Sequence, residues 1–406
     1  MTMELPYLAP DTLLFRMPPT KGVCVNVTSH LDARYGGIAT SLPEFCRATA
    51  VGWSSHLLSV CGPEEIASPE LGFELTRLPA GRLRWAFNRR LRQVLQHAIA
   101  EADIVHVHGI WQEHCMHACS TARRTLRPYV VSAHGMLDSW ALRQKSWRKA
   151  PYLALCERRN LASAACLRAL TRHEVEDYRR AGVAGNVAIV PNGVTIPAET
   201  SSALLLEKFP ELRSRRMVLY LGRLHPKKGI DLLCQAWARI AARFPDAVLL
   251  IAGPDSEGTL SHLKSMVADA GISAQVVFAG MLSRQLKWSA LAAAEVFVLP
   301  SHSEGFSVST VEALGMGVPV IITRQCWFPE VSENACGWII EPDAGQTADF
   351  LIESLSMSTG ERAARQANAR NLVETNYSWE VVGRKMIQVY EWILGGYEPD
   401  FVEVLH

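Results

Sequence analysis

Two glutamates, Glu304 and Glu312, stand where an apolar segment gives way to a helical pattern. The apolar run at 296–299 predicts a buried strand, and the segment after the glutamates has helical periodicity. Both carboxylates are therefore predicted at a strand-to-helix junction, which is where open α/β sheets bind ligands. The N–H groups of a helix N-terminus would lie beside them. Carboxylate acceptors next to such donors suit a polyhydroxylated ligand that carries phosphate.

A purely structural interpretation of the same residues is also open. Ser309 and Glu312 have the Ser-x-x-Glu spacing of a capping box, in which the glutamate only satisfies a helix end. Glu304 would then be an ordinary exposed loop residue. The residues that surround the pair favour the ligand site.

A second group of charged side chains, Arg223, Lys227 and Lys228, follows the apolar segment 217–221. Gly222 permits a sharp turn there, so these cations are predicted to project into a crevice. Fixed cations in a water-poor cleft stabilise the charge that develops on a leaving phosphate group, and they can take the place of a metal ion. The structural alternative is a basic loop that only flanks a helix.

A longer string resembles the E-x7-E signature of retaining GT-B glycosyltransferases of family 4: residues 302–320 read HSEGFSVSTVEALGMGVPV. The resemblance implies that Glu304 contacts hydroxyls of the donor sugar and that Glu312 contacts the ribose of the nucleotide. It also implies that Arg223 and Lys228 bind the donor diphosphate, and that they act in catalysis together with Glu304. The other donor contacts that it implies are Gly37, Gly280, Met281, Gly305, Phe306, Ser307, Ser309 and Thr310.

The first half of the chain carries further candidates. Gly36 and Gly37 follow the first predicted strand, and a Gly-Gly turn lets a ligand approach the backbone closely. His134 follows another predicted strand, where a mostly neutral imidazole could polarise a sugar hydroxyl or orient the acceptor. In similar enzymes the Gly-Gly loop lies against the donor phosphates and the acceptor, and the histidine lies near the donor sugar. We therefore predict that His134 is catalytic and that Gly36, His108 and Asp138 bind the acceptor.

Histidines and cysteines cluster at 106–119, which raises the question of a zinc site. Their spacing matches none of the common structural zinc sites. A better interpretation is a strand that ends at the crevice at 106–109, where similar enzymes bind acceptor, followed by a helix with buried thiols. No metal site and no cofactor are predicted, and a nucleotide diphosphate sugar is the implied co-substrate.

Short apolar runs alternate with helical patterns along the chain, which predicts βαβ units and parallel sheets. Six candidate strands precede a break at 191–216 and six follow it. The 406 residues also exceed what one hydrophobic core usually supports. The resemblance makes this an α/β protein of GT-B fold, with two doubly wound, Rossmann-like domains that face a central crevice. We predict an acceptor domain at 1–195, a donor domain at 196–376, and a C-terminal helix at 377–406 that crosses back to the first domain.

Composition and charge narrow the class of protein. The formal net charge is +1, and no recognised motif suggests nucleic-acid binding. No run approaches the ~18 apolar residues that a membrane-spanning helix needs. The first twenty residues lack a basic n-region and a long apolar core, so no secretory signal is expected. Cysteines within apolar segments suit reduced thiols, and we expect a cytoplasmic protein.

Basic residues concentrate in the first half, where residues 1–200 contain 23 Lys and Arg against 17 Asp and Glu. Much of the excess falls at 82–92 and 140–159, where cations alternate with tryptophans and leucines. Such segments are typical of contacts with an anionic membrane surface. A solvated helix face or a crevice lining explains them equally well.

The resulting hypothesis is a metal-independent, retaining glycosyltransferase that moves a hexose from a nucleotide diphosphate sugar to an acceptor hydroxyl. No carboxylate is obviously placed as a covalent nucleophile, so the family resemblance favours front-face attack within an ion pair. The expected acceptor is a lipid-linked saccharide of polysaccharide or lipopolysaccharide biosynthesis, met at the inner face of the membrane. The alternatives are a soluble sugar or small-molecule acceptor and, in another class, a non-catalytic nucleotide-sugar-binding protein.

Overall fold

The structure, a computed structural model, describes residues 21–29, 31, 37–60, 72–78, 89–144, 146–255 and 258–404. This part of the chain contains two largely parallel sheets whose strands are connected by helices. The predicted α/β class with two Rossmann-like domains is therefore confirmed.

The first sheet has the strand order β14-β7-β6-β5-β4-β1-β2-β3. Its strands run parallel except β14, which pairs antiparallel with β7. The strands are β1 Val23–Thr28, β2 Ser54–Ser59, β3 Glu74–Arg77, β4 Ile104–His108, β5 Tyr129–Ser132, β6 Cys166–Ala169, β7 Val187–Ile189 and β14 Val402–Glu403. The helices that precede the second sheet are α1 Gly37–Thr49, α2 Arg89–Ala100, α3 Glu113–Arg124, α4 Ser139–Arg143, α5 Ser146–Tyr152, α6 Arg158–Ala162 and α7 Arg172–Arg180.

The second sheet has the order β10-β9-β8-β11-β12-β13 and is parallel throughout. Its strands are β8 Arg216–Leu221, β9 Ala247–Ala252, β10 Val276–Gly280, β11 Ala294–Leu299, β12 Val320–Thr323 and β13 Gly337–Ile340. The helices from here on are α8 Ala203–Lys208, α9 Ile230–Ile240, α10 Thr259–Asp269, α11 Arg284–Ala293, α12 Val308–Gly315, α13 Glu330–Glu333, α14 Ala344–Ser356, α15 Thr359–Asn376 and α16 Trp379–Ile393.

Burial on both faces explains why these segments form strands. Every residue of β9 is buried, as are the last five residues of β8 and the last four of β11. Such strands consist of nearly continuous apolar residues rather than an alternating pattern, as expected for a parallel sheet covered by helices. This made the central strands visible in the sequence.

The last helix, α16, returns to the first domain as predicted. Its Val382, Met386 and Tyr390 are buried in a cluster that also contains Phe45 of α1. Gly383 allows this close packing, because a Cβ there would lie 2.5 Å from the carbonyl oxygen of Ala48. The helix thus contributes to the core of the first domain.

The chain crosses between the domains at two adjacent places. The N–H of Val194 donates to the carbonyl of Tyr377 over 2.8 Å, and Val194 also forms a parallel bridge with Ser378. The two connections therefore run side by side at one end of the crevice. The domain limits at 195/196 and 376/377 stay predictions.

Two short strands were absent from the sequence prediction. Strand β3 lies at the edge of the first sheet and has charged residues at both ends, Glu74 and Arg77. Strand β14 contains only two residues. Neither has the apolar run that marks a buried strand. In the described residues no helix is both long and apolar enough to span a membrane.

Candidate active site

The loops after β5 and β11 meet across the boundary between the domains. A Cβ built at Gly305 would lie 3.2 Å from the Cα of Gly135, so the two backbones touch. Ser303 Oγ donates to Asp138 Oδ1 over 3.1 Å beside this contact. The predicted site segments of the two domains are thus brought together at one place.

Glu304 lies in the loop between β11 and α12 and is 7% exposed. Its Oε1 accepts hydrogen bonds from Lys228 Nζ at 2.5 Å and from Ser301 Oγ at 2.6 Å. The described residues place no hydrogen-bond donor at Oε2. A buried carboxylate with one free oxygen can accept from a sugar hydroxyl while its partners hold it in position.

The capping-box interpretation of Ser309 and Glu312 is wrong. Helix α12 begins at Val308, and its N-cap is Ser307, whose Oγ accepts from the N–H of Thr310 over 3.2 Å. Ser309 lies inside the first turn. Glu312 is therefore free to serve another partner.

That partner is Lys287 on α11, whose Nζ lies 2.5 Å from Glu312 Oε1. The Glu312 side chain is 11% exposed, and burial raises the pKa of its carboxyl while the Lys287 cation opposes that rise. Sequence analysis missed Lys287. The sequence did contain a signal for this residue: Lys287 is in the first turn of a helix, where the helix dipole disfavours a cation.

Gly280 and Met281, the predicted contacts of the nucleotide base, follow the edge strand β10. Gly280 has a φ of +65°, and its carbonyl accepts from the N–H of Gly253 over 2.8 Å. The Met281 side chain is 71% exposed. They immediately precede α11, which carries Lys287, so the predicted base and ribose contacts share one side of the crevice.

The cationic loop after β8 packs directly against the loop after β11. A 3-10 turn at Pro226–Lys228 is followed by Gly229 with a φ of +63°. A Cβ at Gly229 would run into the carbonyl of Pro300, so only glycine permits this approach. The approach places Lys228 next to Glu304.

The three cations of this loop have different environments. Lys228 pairs with Glu304, whereas Lys227 Nζ lies 4.9 Å from the ring centroid of Trp140 in the first domain. Arg223 is exposed. The predicted diphosphate contacts thus differ, since Arg223 is exposed and Lys228 is paired.

His134 follows β5 with a φ of +53°, a left-handed conformation that is costly for a residue with a side chain. Its Nε2 lies 3.3 Å from Nδ1 of His108. Its Nδ1 is buried and has no hydrogen-bond partner in the part of the chain that the structure describes. Burial and then the charge of Arg168 lower the pKa of His134 to about 3, so the imidazole is neutral at physiological pH.

Glu174 holds the backbone next to His134. Its two carboxylate oxygens accept from the N–H of Gly135 at 2.6 Å and from the N–H of Leu170 at 2.7 Å. Burial raises the pKa of Glu174 to about 7. This residue fixes the loop that meets Gly305, and sequence analysis missed it because Gly135 lies 39 residues away.

The predicted acceptor residues lie in different surroundings. His108 is 1% exposed and stands behind His134, with Nε2 3.0 Å from Asn26 Oδ1. Asp138 is 5% exposed and caps α4 by accepting from the N–H of Trp140 over 2.9 Å. Gly36 lies outside the described residues, and Gly37 is the exposed first residue of α1.

The predicted donor contacts before and within α12 are partly structural. The Phe306 ring lies 6.3 Å from the Tyr377 ring, with an angle of 34° between the two, near the crossing of the chain. Thr310 is fully buried, and its Oγ1 donates to Ser307 Oγ over 2.8 Å. The side chains of Ser307 and Thr310 thus order the start of α12.

One group in the described residues has the geometry to hold a metal ion: Asp138, His173 and Asp177. Each member already has a protein partner. Asp138 caps α4, Asp177 forms an ion pair of 2.6 Å with Arg180, and the His173 ring stacks on Trp327 at 3.5 Å. Of these contacts, the stack of His173 on Trp327 joins the two domains.

Two family models match the chain, one in each domain. "Glycosyl transferase 4-like domain" matches residues 36–193, and "Glycosyl transferases group 1" matches residues 205–372. The chain belongs to the group 1 glycosyltransferases. This confirms the family predicted from the E-x7-E string.

Two relatives illustrate how this group 1 glycosyltransferase compares with curated proteins. It is 35% identical over 179 residues to a GDP-mannose-dependent monoacylated alpha-(1-6)-phosphatidylinositol monomannoside mannosyltransferase of Corynebacterium glutamicum, covering 42% of this chain and 45% of the relative. It is 25% identical over 305 residues to a GDP-mannose:cellobiosyl-diphosphopolyprenol alpha-mannosyltransferase of Xanthomonas campestris, covering 73% of this chain and 76% of the relative. The chain spans about half the length of the curated relatives that it matches at 31% to 35% identity.

A solved structure supports the fold assignment. A sucrose-phosphate synthase of Thermosynechococcus elongatus superposes with a TM-score of 0.73 at 21% identity, covering 92% of this chain and 99% of that chain. At this identity the likeness shows the fold alone. The predicted GT-B architecture is confirmed.

Proposed function

We propose that this protein is a retaining glycosyltransferase that transfers a hexose from a nucleotide diphosphate sugar to a hydroxyl of a lipid-linked saccharide. The observation that carries the proposal is the pair of buried carboxylates, each held by a lysine, on one side of the crevice: Glu304 with Lys228 and Glu312 with Lys287. A scaffold without ligand has no need to bury two such charged pairs, because their desolvation is expensive. Sugar hydroxyls can donate hydrogen bonds to the carboxylates, and a diphosphate can pair with the lysines.

The residues suggest how the donor is handled. Glu304 would position the sugar through its free oxygen, and Glu312 would accept from the ribose. Arg223 and Lys228 would stabilise the diphosphate as it gains charge when the glycosidic bond breaks, which serves in place of a metal ion. The departing phosphate oxygen would then accept the proton of the attacking hydroxyl, on the same face of the sugar.

The names of the relatives guide the choice of substrates. Both relatives described above are named as GDP-mannose-dependent or GDP-mannose enzymes, and both act on acceptors with a lipid portion. We infer that GDP-mannose is the first donor to test and that the acceptor carries a lipid phosphate or diphosphate.

The test is nucleoside diphosphate release from GDP-, UDP-, ADP- and dTDP-sugars, with and without a polyprenyl-diphosphate saccharide and with a chelator present. We expect chelator-insensitive release from one donor, which Glu304→Ala abolishes while the variant stays folded. The control is Glu341→Ala, which removes a half-exposed glutamate of the same domain that pairs with Arg324. Full activity of Glu304→Ala, or inactivity of the native protein on every donor although it binds the nucleotide, would contradict the proposal.

The acceptor's lipid portion calls for membrane contact, and one surface suits it. Helix α5, the π turn Leu153–Glu157 and α6 form a continuous helical segment that exposes Trp147 by 72% and Leu155 by 79%. The Arg148 guanidinium lies 4.4 Å from the Trp147 ring. Exposed cations flank these apolar residues at Arg143, Arg148, Arg158 and Arg159. Of the other predicted basic segment, residues 82–88 lie outside the described part of the chain.

We propose that this helical segment, residues 146–162, forms a basic ridge that binds the anionic surface of a membrane. Cations beside exposed tryptophan and leucine complement anionic lipid. Vesicle co-sedimentation should show binding to phosphatidylglycerol-containing vesicles that salt weakens, and little binding to phosphatidylcholine alone. The Trp147→Ser, Leu155→Ser double variant should lose most of it. Leu126→Ser is the control, since Leu126 is 90% exposed in the same domain. Equal binding by both variants would exclude the ridge.

A further inference from the structure

Three histidines form a ladder behind the crevice. His106 and His108 stack at 4.1 Å with an angle of 22° between their rings, and His108 and His134 stack at 5.6 Å with an angle of 27°. His106 is fixed on both sides, by Tyr390 of α16 at 2.7 Å and by Ser132 at 2.8 Å. The ladder keeps the His108 ring from turning, because it is 1% exposed and packed on both faces.

A chain of hydrogen bonds runs along one edge of this ladder. His134 Nε2 lies 3.3 Å from His108 Nδ1, and His108 Nε2 lies 3.0 Å from Asn26 Oδ1. The Asn26 amide is oriented by its other end, where Nδ2 donates to Ser55 Oγ over 3.0 Å. The bonds of Asn26 to His108 and to Ser55 are buried and the bond between His134 and His108 is partly buried, so each atom is expected to donate or accept within the chain.

The side-chain carbonyl oxygen of Asn26 determines which atom donates in each of the histidine hydrogen bonds. An amide oxygen carries no proton, so His108 Nε2 must donate to it, and the neutral His108 then has a lone pair on Nδ1. His134 Nε2 must donate to that lone pair. A neutral His134 whose proton is on Nε2 has its lone pair on Nδ1.

The neutral form is the one that the surroundings impose. Burial lowers the pKa of His108 and of His134, and the Arg168 cation lowers both further; for His108 the neighbouring imidazoles of His106 and His134 add to the effect. Among the described residues His134 Nδ1 is buried without a hydrogen-bond partner, one residue from the contact between Gly135 and Gly305. A buried nitrogen without a partner is unfavourable, and a hydroxyl donor from a ligand would relieve that cost.

We propose that Asn26 and His108 are positioning residues that fix the tautomer of His134, so that its Nδ1 accepts a hydrogen bond from a hydroxyl of the bound sugar. This rests on the proposed function for its ligand. It assigns His108 to the support of His134 rather than to direct contact with the acceptor. The proposal also explains the left-handed conformation of His134, because backbone strain is tolerated where it orients a functional group.

The test combines nitrogen-15 NMR of histidine-labelled full-length protein with steady-state kinetics. His134→Gln identifies the His134 signals in the spectrum. In the native protein we expect His134 to carry its proton on Nε2. Asn26→Leu removes the acceptor and should change the tautomer of His134 or mix the two forms, with a loss in kcat/KM of about tenfold or more. Asn26→Asp retains an acceptor oxygen and should preserve the native tautomer.

Thr28→Val is the matched control. Thr28 is two residues further along β1, on the same face as Asn26, and is 1% exposed, but it has no place in the hydrogen-bond chain. It should preserve both the tautomer and the activity.

Two results would overturn the proposal. The first is a native His134 that carries its proton on Nδ1, which would mean that the Asn26 amide is reversed. The second is an Asn26→Leu variant with native tautomer and native activity. The NMR measurement does not depend on turnover, so it decides the tautomer even if the transferase assay refutes the proposed function.

Discussion

Replacing Gly305 with alanine should impair catalysis without weakening the fold. Gly305 lies where the two domains touch, and its φ is outside the left-handed region, so alanine introduces no backbone strain there. The new Cβ would lie 3.2 Å from the Cα of Gly135, and ordinary contacts of this kind lie at 3.4–4 Å. The loops must therefore separate by at least 0.2 Å, the difference between 3.4 Å and 3.2 Å.

A shift of this size matters at a reacting centre more than in a loop. A misplacement of about 1 Å can cost on the order of a hundredfold in rate, so a few tenths of an ångström should cost about tenfold, or ~1.4 kcal/mol in the activation barrier. Each domain keeps its own core, so thermal unfolding should change little. The assay is kcat/KM for the donor beside a thermal unfolding curve.

The control is Gly360→Ala, on the exposed first turn of α15, where a Cβ would meet no atom within 4 Å. The two variants should unfold alike and differ in kcat/KM. Equal activity in both would show that the Gly135–Gly305 contact is not part of the catalytic arrangement. A marked loss of thermal stability in Gly305→Ala alone would show that the contact supports the fold instead.

Two further predictions concern buried carboxyls. Burial raises the pKa of Glu174 to about 7 from 4.5, so between these values the native state holds a proton that the unfolded chain has lost, and stability falls as pH rises. Glu174→Gln should remove this pH-dependent contribution to the free energy of unfolding, which is about 3 kcal/mol in full. Urea unfolding at about pH 5 and about pH 8 measures it. A variant that loses as much stability between the two pH values as the native protein would contradict the prediction. Lys287→Met should raise the pKa of Glu312 further and weaken nucleotide binding about tenfold, more at about pH 6 than at about pH 8, because the protonated carboxyl loses its charge. The control is Lys264→Met, which replaces an exposed lysine on α10. If calorimetry finds the same nucleotide affinity for both variants, Lys287 is excluded from the donor site.

Local pattern in the sequence determined most of the fold. Strands such as β8, β9 and β11 are apolar along nearly their whole length because helices cover both faces of their sheet, and that pattern is written in consecutive residues. The strands that escaped prediction, β3 and β14, lie at sheet edges or are too short to form an apolar run. The E-x7-E string located Glu304 and Glu312 for the same reason, since both lie within one segment.

Tertiary structure decided which groups those residues meet. Lys287 reaches Glu312 because α11 and α12 pack on the same sheet, and Glu174 holds Gly135 because α7 returns to the end of β5. Asn26 meets His108 because β1 and β4 are neighbours in the sheet although 82 residues separate them in the chain. Hydrogen bonds and ion pairs act over a few ångströms in space, whereas the sequence records only separation along the chain. The sequence therefore determined the family, the buried strands and the two carboxylates, and only the packed domains determined the partners that hold them.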